Sequence, residues 1–460
     1  MRAKIAGSLT QYPARALFIW YLALILFGTA LLMLPICHNE DVKTTIDPID
    51  ALFTATSASC VTGLSTISIG KEFNFLGQFI ILVLIQLGGI GIMTVTTLVA
   101  VSLSGHSLLH HRAAVTEQLG ATPEDDLHFV LRDVLVMTFF IEFVGFLILL
   151  SRFLFEQPAL DAIWNAFFYA ISAFCNAGFS INDDNGIRYQ GEWVFNLTIC
   201  ALITFGGIGF PVYRDLRRKR KDQRLGIQRR LNLHTRLVLI GTVSLTLLGM
   251  IAFYLLERQN LLKDMTIGRS LLVSLFQSVN TRTSGFYSVD LGMAEASTLF
   301  VMSLLMLVGA APCSTGGGFK VTTLMVLLIH SWQRLRGYTK INIFGRTIDR
   351  SDLDRSTSAV ILYVMIVAIG LSILLVLEEE HQPFGETHGL FLKALFESVS
   401  ALGTVGLTAN FTPSLTDPGK VLIVILMFIG RLGPFSIVLA LTRGRRPEPF
   451  EYPRGQVLIG

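Results

Sequence analysis

Charge is what this 460-residue sequence has least of. Asp, Glu, Lys and Arg make up 15% of it, against about 25% in a soluble domain. With 52% apolar residues and a mean hydropathy of +0.59, the scarcity excludes a single core in water and leaves lipid as the solvent. Cysteine is also sparse. Cys37, Cys60, Cys175, Cys200 and Cys313 lack metal-ligand spacing. All but Cys37 lie in apolar or Gly-rich runs, so no disulfide framework is expected. The apolar runs hold no cluster of His, Asp or Glu, and Glu142 stands nearly alone. A membrane-embedded enzyme would need such a cluster, so none is expected. No cleavable leader is expected: the basic start MRAKIAGSLTQYPAR leads into an apolar run, 16–36, with no small-residue cleavage site after it. The net charge of +4 says little by itself, its placement says more, and no nucleic-acid partner is expected.

What the chain has is long apolar runs. Eight can be marked, at 16–36, 74–103, 128–154, 192–213, 235–256, 296–330, 357–378 and 419–442. Each is long enough to cross a hydrocarbon core of ~30 Å. Between them lie four weakly related stretches, each ending in Gly followed by Leu or Phe: ALFTATSASCVTGL (51–64), AFFYAISAFCNAGF (166–179), VSLFQSVNTRTSGF (273–286) and ALFESVSALGTVGL (394–407). The third has one residue fewer between its Phe and its glycine. Their glycines, Gly63, Gly178, Gly285 and Gly406, are separated by 115, 107 and 121 residues. Such spacing is too long for a solenoid and fits four copies of a membrane module. Each module reads as a spanning helix, a half-apolar stretch too short to span, and a second spanning helix. The stretches read as re-entrant pore helices, and irregular backbone at that depth is tolerated only where it lines a water-filled path or is packed in protein. The expected fold is an all-α membrane protein with four tandem helix–pore-loop–helix repeats around a pseudo-four-fold pore. The repeats would span 1–110, 111–225, 226–345 and 346–460, the last including the C-terminal tail.

Lys and Arg crowd one set of loops: the N-terminus, 213–236, 331–355 and the final TRGRRPEPFEYPRG. Cytoplasmic loops carry that excess, which puts both termini inside and the four re-entrant stretches outside. The outer segments 39–50, 181–186 and 378–386 lean acidic. Simple solubility explains them as well as cation steering does.

A cation crossing lipid must exchange its water shell for oxygen atoms, and a ring of backbone carbonyls can supply them. Turning carbonyls inward demands dihedrals that Gly adopts without penalty. This accounts for one glycine per module after small residues: Cys60-Val61-Thr62-Gly63, Cys175-Asn176-Ala177-Gly178, Arg282-Thr283-Ser284-Gly285 and Gly403-Thr404-Val405-Gly406. Taken singly, a Gly after such a run is a turn or a close helix contact. Four at matching positions are harder to explain that way. The pore helices would aim their partially negative C-terminal ends at a cation.

A second repeat lies further along, in the second helix of each module: Leu87-Gly88-Gly89, Phe205-Gly206-Gly207, Val308-Gly309-Ala310 and Ile429-Gly430-Arg431. Arg431 stands where the others have Gly or Ala. A charge there costs at least ~2.5–3.5 kcal/mol unless it reaches water or a partner, and below a cation filter it is a barrier to the same ion. Gating is the reading adopted, and a structural ion pair is the rival. Arg282 is expected to point behind the filter, with Glu397 as a candidate partner by equal depth. Glu142 reads equally as functional or as structurally paired. In the third module, run 296–330 is too long for one straight span. Its middle, Gly309 to Gly318 with Pro312, Ser314, Thr315, Gly316 and Gly317, should break into an intramembrane loop before Lys320 and serve as a gate. A phosphate-cradling loop is disfavoured, because GGGFK lacks the required spacing and no strand precedes it.

The residues around the four glycines, Ser314-Thr-Gly-Gly-Gly-Phe-Lys and Gly430-Arg-Leu-Gly-Pro together resemble the bacterial Trk/Ktr potassium-uptake membrane subunits across nearly the whole chain. The length and short N-terminus look more like the KtrB branch than the TrkH branch. Phe319, where many relatives have an aliphatic residue, is a small departure. The resemblance implies a homodimer in the lipid bilayer of the bacterial inner membrane. It implies a cytoplasmic ring of nucleotide-binding, KtrA-like regulatory subunits under the basic loops, and potassium uptake with sodium as a possible activator. It carries over filter positions Val61-Thr62-Gly63, Asn176-Ala177-Gly178, Thr283-Ser284-Gly285 and Thr404-Val405-Gly406, with Cys60 and Cys175 beside them, and the gate near Ser314–Phe319 and Arg431. The alternative is a secondary transporter for another cation or a small organic solute, which should bury ligand-specific polar side chains at the midplane.

Overall fold

A computed structural model describes residues 13–39, 46–106, 127–338, 341–379 and 389–433. Outside them fall the basic N-terminus, the C-terminal tail, the end of the last apolar run, residues 40–45 of the acidic segment 39–50 and residues 380–386 of the segment 378–386.

The chain folds as four helical triplets. The first is α1 (Pro13–Leu32), α2 (Pro48–Ser59) and α3 (Phe75–His106). The second is α4 (Leu127–Phe153), α5 (Ala159–Phe174) and a bent pair, α6 (Trp193–Ile208) with α7 (Phe210–Arg224). The third is α8 (Leu233–Glu257), α9 (Ile267–Asn280) and a broken pair, α10 (Ala296–Met306) with α11 (Val321–Leu335). A small antiparallel hairpin, β1 (Asn342–Ile343) and β2 (Arg346–Thr347), leads to the fourth: α12 (Arg350–Glu378), α13 (Leu390–Gly403) and α14 (Asp417–Leu432).

Among the described residues, Arg132–Phe153, Leu233–Glu257 and Arg350–Glu378 are each long and apolar enough to cross a membrane, and the bent pair makes a fourth. Their outer faces carry bare apolar side chains such as Phe140, Phe143 and Leu248, a surface that water penalises and lipid does not. Run 296–330 breaks where Pro312 and the glycines stand, as expected. Run 192–213 does not form the single span expected of it. It turns by 92° at Gly209, whose φ is +86°. The apolar run conceals a helix start: Pro211 sits in the first turn of α7, where a missing N–H costs nothing.

The triplets form a closed circuit. The helix that follows the middle helix in each triplet packs on the short middle helix of the next: α3 on α5, α6 on α9, α10 on α13, and α14 on α2. Each middle helix completely buries a Phe at an equivalent place, Phe53, Phe168, Phe276 and Phe396. Polar contacts between successive triplets repeat the circuit, the last of them between α14 and α2. Lys71 meets Asp183 at 2.8 Å, Gly186 N donates to the Tyr287 carbonyl at 3.0 Å, Asn410 Nδ2 donates to Asp290 at 2.8 Å, and Lys420 meets Asp50 at 2.8 Å. The acidic stretch 181–186 is therefore partly spent on ties: Asp183 to Lys71 and Ser68, Asp184 to Arg188.

The Lys420–Asp50 tie is the most enclosed of these ion pairs, with side chains only 13% and 12% exposed. Breaking a buried pair from one side strands a charge and costs about 3–5 kcal/mol. Lys420→Ala is expected to lower the thermal midpoint in detergent by several degrees, and Lys420→Met with Asp50→Asn should recover most of the loss. A single variant as stable as the wild type would show that the tie contributes nothing.

Candidate functional site

The four middle helices are each followed by a small residue, Cys60, Cys175, Thr281 and Thr404, and bring the four glycine stretches together. In each stretch two residues take positive φ: the glycine, and the residue two before it. The glycine values are +99°, +68°, +76° and +89° for Gly63, Gly178, Gly285 and Gly406. Val61, Asn176, Thr283 and Thr404 stand at +55°, +62°, +66° and +49°. Left-handed backbone costs an L-residue roughly 1–2 kcal/mol, so one such residue per stretch marks a conformation that the surroundings impose. Alternating hand along a strand turns successive carbonyls to the same side.

The stretches are held in that shape from behind. Ser57 Oγ accepts from Gly63 N at 3.1 Å, and Ser400 Oγ accepts from Gly406 N at 3.1 Å. Ser172, at the same place, donates its hydroxyl to the Phe179 carbonyl at 2.8 Å. In the third stretch, which is one residue shorter, Asn280 does the work with a longer side chain, accepting from Phe286 N at 3.1 Å.

The glycines face one another in order. A Cβ on Gly63 would lie 2.4 Å from the Ala177 carbonyl oxygen, and one on Gly178 2.3 Å from that of Ser284. On Gly285 it would lie 2.9 Å from the Val405 oxygen, and on Gly406 2.1 Å from the Thr62 oxygen. Each glycine thus leaves room for the carbonyl that precedes the next glycine, and the fourth returns to the first. The Asn176 side-chain amide pairs with the Thr283 hydroxyl at 3.3 Å, joining two stretches. The buried hydroxyls of Thr62, Ser284 and Thr404 have no partner among the described residues. Carbonyls and hydroxyls of this kind are hard oxygen donors suited to a cation. Cys60 and Cys175 sit fully buried at the ends of α2 and α5.

Beneath this ring lies the break in the third triplet, 307–320. Gly316 approaches Thr283 and Gly317 approaches Thr404, so closely that a Cβ would come within 2.3 and 2.1 Å of the two hydroxyls. Gly309 donates its N–H to the Phe319 carbonyl at 2.8 Å and faces the Gly317 oxygen. Ser314 Oγ donates to the Ala311 carbonyl at 2.6 Å, and Thr315 Oγ1 to that of Phe174 at 3.2 Å. Lys320 folds back, its ammonium donating to the carbonyls of Gly316 at 2.7 Å and Gly317 at 3.3 Å. The Pro312 carbonyl abuts Gly209, and Gly318 takes φ +63°. Phe319 packs edge-on against Tyr363, ring centroids 5.6 Å apart, which gives the aromatic side chain its place.

Arg431, 1% exposed, pins this loop. Its guanidinium donates to the Thr315 carbonyl, to the Gly88 carbonyl at 2.7 Å and to the Tyr21 hydroxyl at 3.2 Å. No carboxylate pairs with it among the described residues, so it is a three-way hydrogen-bond tether rather than an ion pair. The glycines of the second repeat serve close approach: Gly88, Gly206 and Gly430 each lie against the last carbonyls of the middle helix in their own triplet, those of Ser59, Phe174 and Leu402.

One expectation changes. Arg282 does point behind the ring, but its partners are the Thr242 carbonyl, at 2.8 Å, and the Thr246 hydroxyl on α8. Glu397 is not its partner. That carboxylate accepts from Thr408 at 3.0 Å and from Thr412. Equal depth did not mean equal azimuth. Glu142 accepts from Gln86 Nε2 at 3.0 and 3.1 Å, and the Cys175 thiol touches Gln86 Oε1 at 3.3 Å, so a polar link runs from α4 to the second stretch.

Sequence comparison matches residues 20–445 to the TrkH family, described as cation transport proteins. Among individual relatives, Ktr system potassium uptake protein B of Bacillus subtilis is 36% identical over 450 residues, covering 97% of either chain. Its counterpart in Vibrio alginolyticus is 34% identical, over 97% of this chain and 94% of that one. The potassium/sodium uptake protein NtpJ of Enterococcus hirae is 34% identical over 97% of each. Among solved structures, the potassium transporter TrkH of Vibrio parahaemolyticus superposes with a TM-score of 0.72, covering 93% of this chain and 84% of that one at 16% identity.

Proposed function

This chain belongs to the TrkH family of cation transport proteins, and on that premise we propose that it is the potassium-translocating membrane subunit of a Ktr-type uptake system. The observation that carries the reading is the cyclic order of Gly63, Gly178, Gly285 and Gly406, each making room for the next stretch's carbonyl. A dehydrated cation on the axis of that ring meets main-chain oxygen from Thr62, Ala177, Ser284 and Val405, with Val61, Asn176, Thr283 and Thr404 supplying the turn before each. Cys60 and Cys175 pack behind the first two. The C-terminal ends of α2, α5, α9 and α13 add partial negative charge toward a cation.

Each of the four repeats contributes one wall of this filter. The loop Gly309–Gly318, with Pro312, Ser314 to Gly317 and Lys320, is the gate, and Arg431 is its latch. The basic segments 213–236 and 331–355 face the cytoplasm of a bacterial inner membrane, by the sided excess of Lys and Arg, and both termini lie on that side. The names of the relatives support potassium as cargo, and that of NtpJ supports a role for sodium beside it. A Ktr-type system also implies a cytoplasmic regulatory partner, for which a nucleotide-binding ring is our reading, and a homodimer of this chain.

Uptake of rubidium, as a potassium surrogate, into vesicles holding the purified chain tests the proposal. The expected result is rubidium uptake that potassium competes away and that an equal concentration of sodium does not. Uptake of an organic solute instead, with no rubidium flux under any gradient, would overturn it.

A further inference from the structure

The helix that follows the 92° turn has no task in the pathway just described, and its chemistry is lopsided. On α7, Arg217, Arg220, Lys221 and Arg224 follow the i, i+3, i+4, i+7 spacing that lines one face of a helix. All four are exposed, and with Leu225 they line a groove of about 400 Å³. The carboxylates nearby are already engaged. Asp222 pairs with Arg229 at 3.4 Å, and the buried Asp215 accepts from Asn232 N at 2.9 Å. None of the four stripe cations has a carboxylate partner among the described residues.

The geometry points to this stripe as a binding site for the phosphate headgroup of an anionic membrane lipid, whose occupancy biases the 307–320 loop. Height and direction choose a lipid over an acidic protein. The 16 residues of α6 span about 24 Å at 1.5 Å per residue, less than the ~30 Å of a hydrocarbon core. The chain then turns by 92°, so α7 runs along the membrane plane near the core boundary, with its long cationic side chains at the level of the phosphates. Basic clusters beside a spanning helix draw anionic lipid in this way. The stem of α7 is fastened to the loop. Phe210 N donates to the Cys313 carbonyl at 3.1 Å, and Gly209 leaves room for the Pro312 carbonyl, 2.5 Å from where a Cβ would stand. Val212 is buried in one cluster with Val308, Ala311 and Val321. A pull on α7 therefore reaches both sides of the loop. The effect on flux rests on the loop being the gate; headgroup binding does not.

The test uses the full-length protein in two arms. Native mass spectrometry after release from mixed phosphatidylcholine and phosphatidylglycerol reads binding. The wild type is expected to retain phosphatidylglycerol preferentially, and R217Q/R220Q/K221Q/R224Q to lose that preference several-fold. The charge-keeping R217K/R220K/R224K should retain it, and R220Q/R224Q serves if the quadruple variant fails to fold. An equal preference in wild type and Gln variants would overturn the site. So would a Gln variant that keeps the lipid but no longer holds the cytoplasmic regulatory partner, because the stripe would then be a protein-docking face. Rubidium flux in phosphatidylcholine vesicles with and without phosphatidylglycerol reads the coupling. The wild-type flux should change with lipid and the Gln variant's should not; the same response in both would overturn the coupling. Absence of flux from the wild type in every lipid would instead count against the transport reading, and the mass spectra would still decide the site.

Discussion

Gly406→Ala is expected to weaken discrimination against sodium by roughly tenfold or more, because a strain of about 1–3 kcal/mol placed at the ring is as large as the free energy that discrimination uses. Two costs coincide. The backbone stands at φ +89°, where a Cβ is disfavoured, and that Cβ would lie 2.1 Å from the Thr62 oxygen. One of two neighbouring stretches must yield, and the oxygen it carries moves off the ring. The same reasoning grades the series. Contacts of 2.3 and 2.4 Å at Gly178 and Gly63 predict losses close to that at Gly406, and the 2.9 Å contact at Gly285 predicts the mildest. Gly337→Ala is the control: its φ is +81°, but nothing lies within 4 Å of its Cβ. It should leave selectivity unchanged. Competition of sodium against rubidium uptake measures all five. Unaltered selectivity in Gly406→Ala would remove these glycines from the ion path.

Arg431→Ala is expected to raise flux, on the order of tenfold, a size typical of coupling between a latch and a gate. The guanidinium holds three groups from three parts of the chain: the Thr315 carbonyl in the loop, the Gly88 carbonyl on α3 and the Tyr21 hydroxyl on α1. Alanine frees the loop and removes a positive charge from beneath the ring. Arg431→Lys separates the two effects, because an ammonium keeps the charge but cannot reproduce the planar fork. It should raise flux by less. Deleting Ser314–Gly318 should raise it as well. Wild-type flux in both Arg431→Ala and the deletion would end the gate assignment.

The sequence carried the fold wherever its chemistry is local. Glycine before Leu or Phe, four times over, is legible because few residues tolerate φ near +90°, and Pro312 with three glycines announces its own break. What it concealed is relational. Nothing in Val61 or Thr404 says that a branched side chain will stand at positive φ; neighbouring stretches impose it. The ties Lys420–Asp50 and Asn410–Asp290 join residues 370 and 120 positions apart, and no spacing rule reaches them. Glu397 and Arg282 share a depth, but depth leaves the angle around the axis undetermined, and the two side chains take separate partners. The turn at Gly209 was readable in part: Gly followed two residues later by Pro is a stop and a start, outweighed by the apolar residues around it. Arg431 was visible as a charge out of place, but its three partners were not.

The most direct test of the account is anomalous scattering from crystals of the active protein soaked in rubidium or thallium. The account predicts peaks on the axis between Gly63, Gly178, Gly285 and Gly406, ringed by the carbonyl oxygens of Thr62, Ala177, Ser284 and Val405. Peaks only elsewhere, in protein that still takes up rubidium, would contradict it.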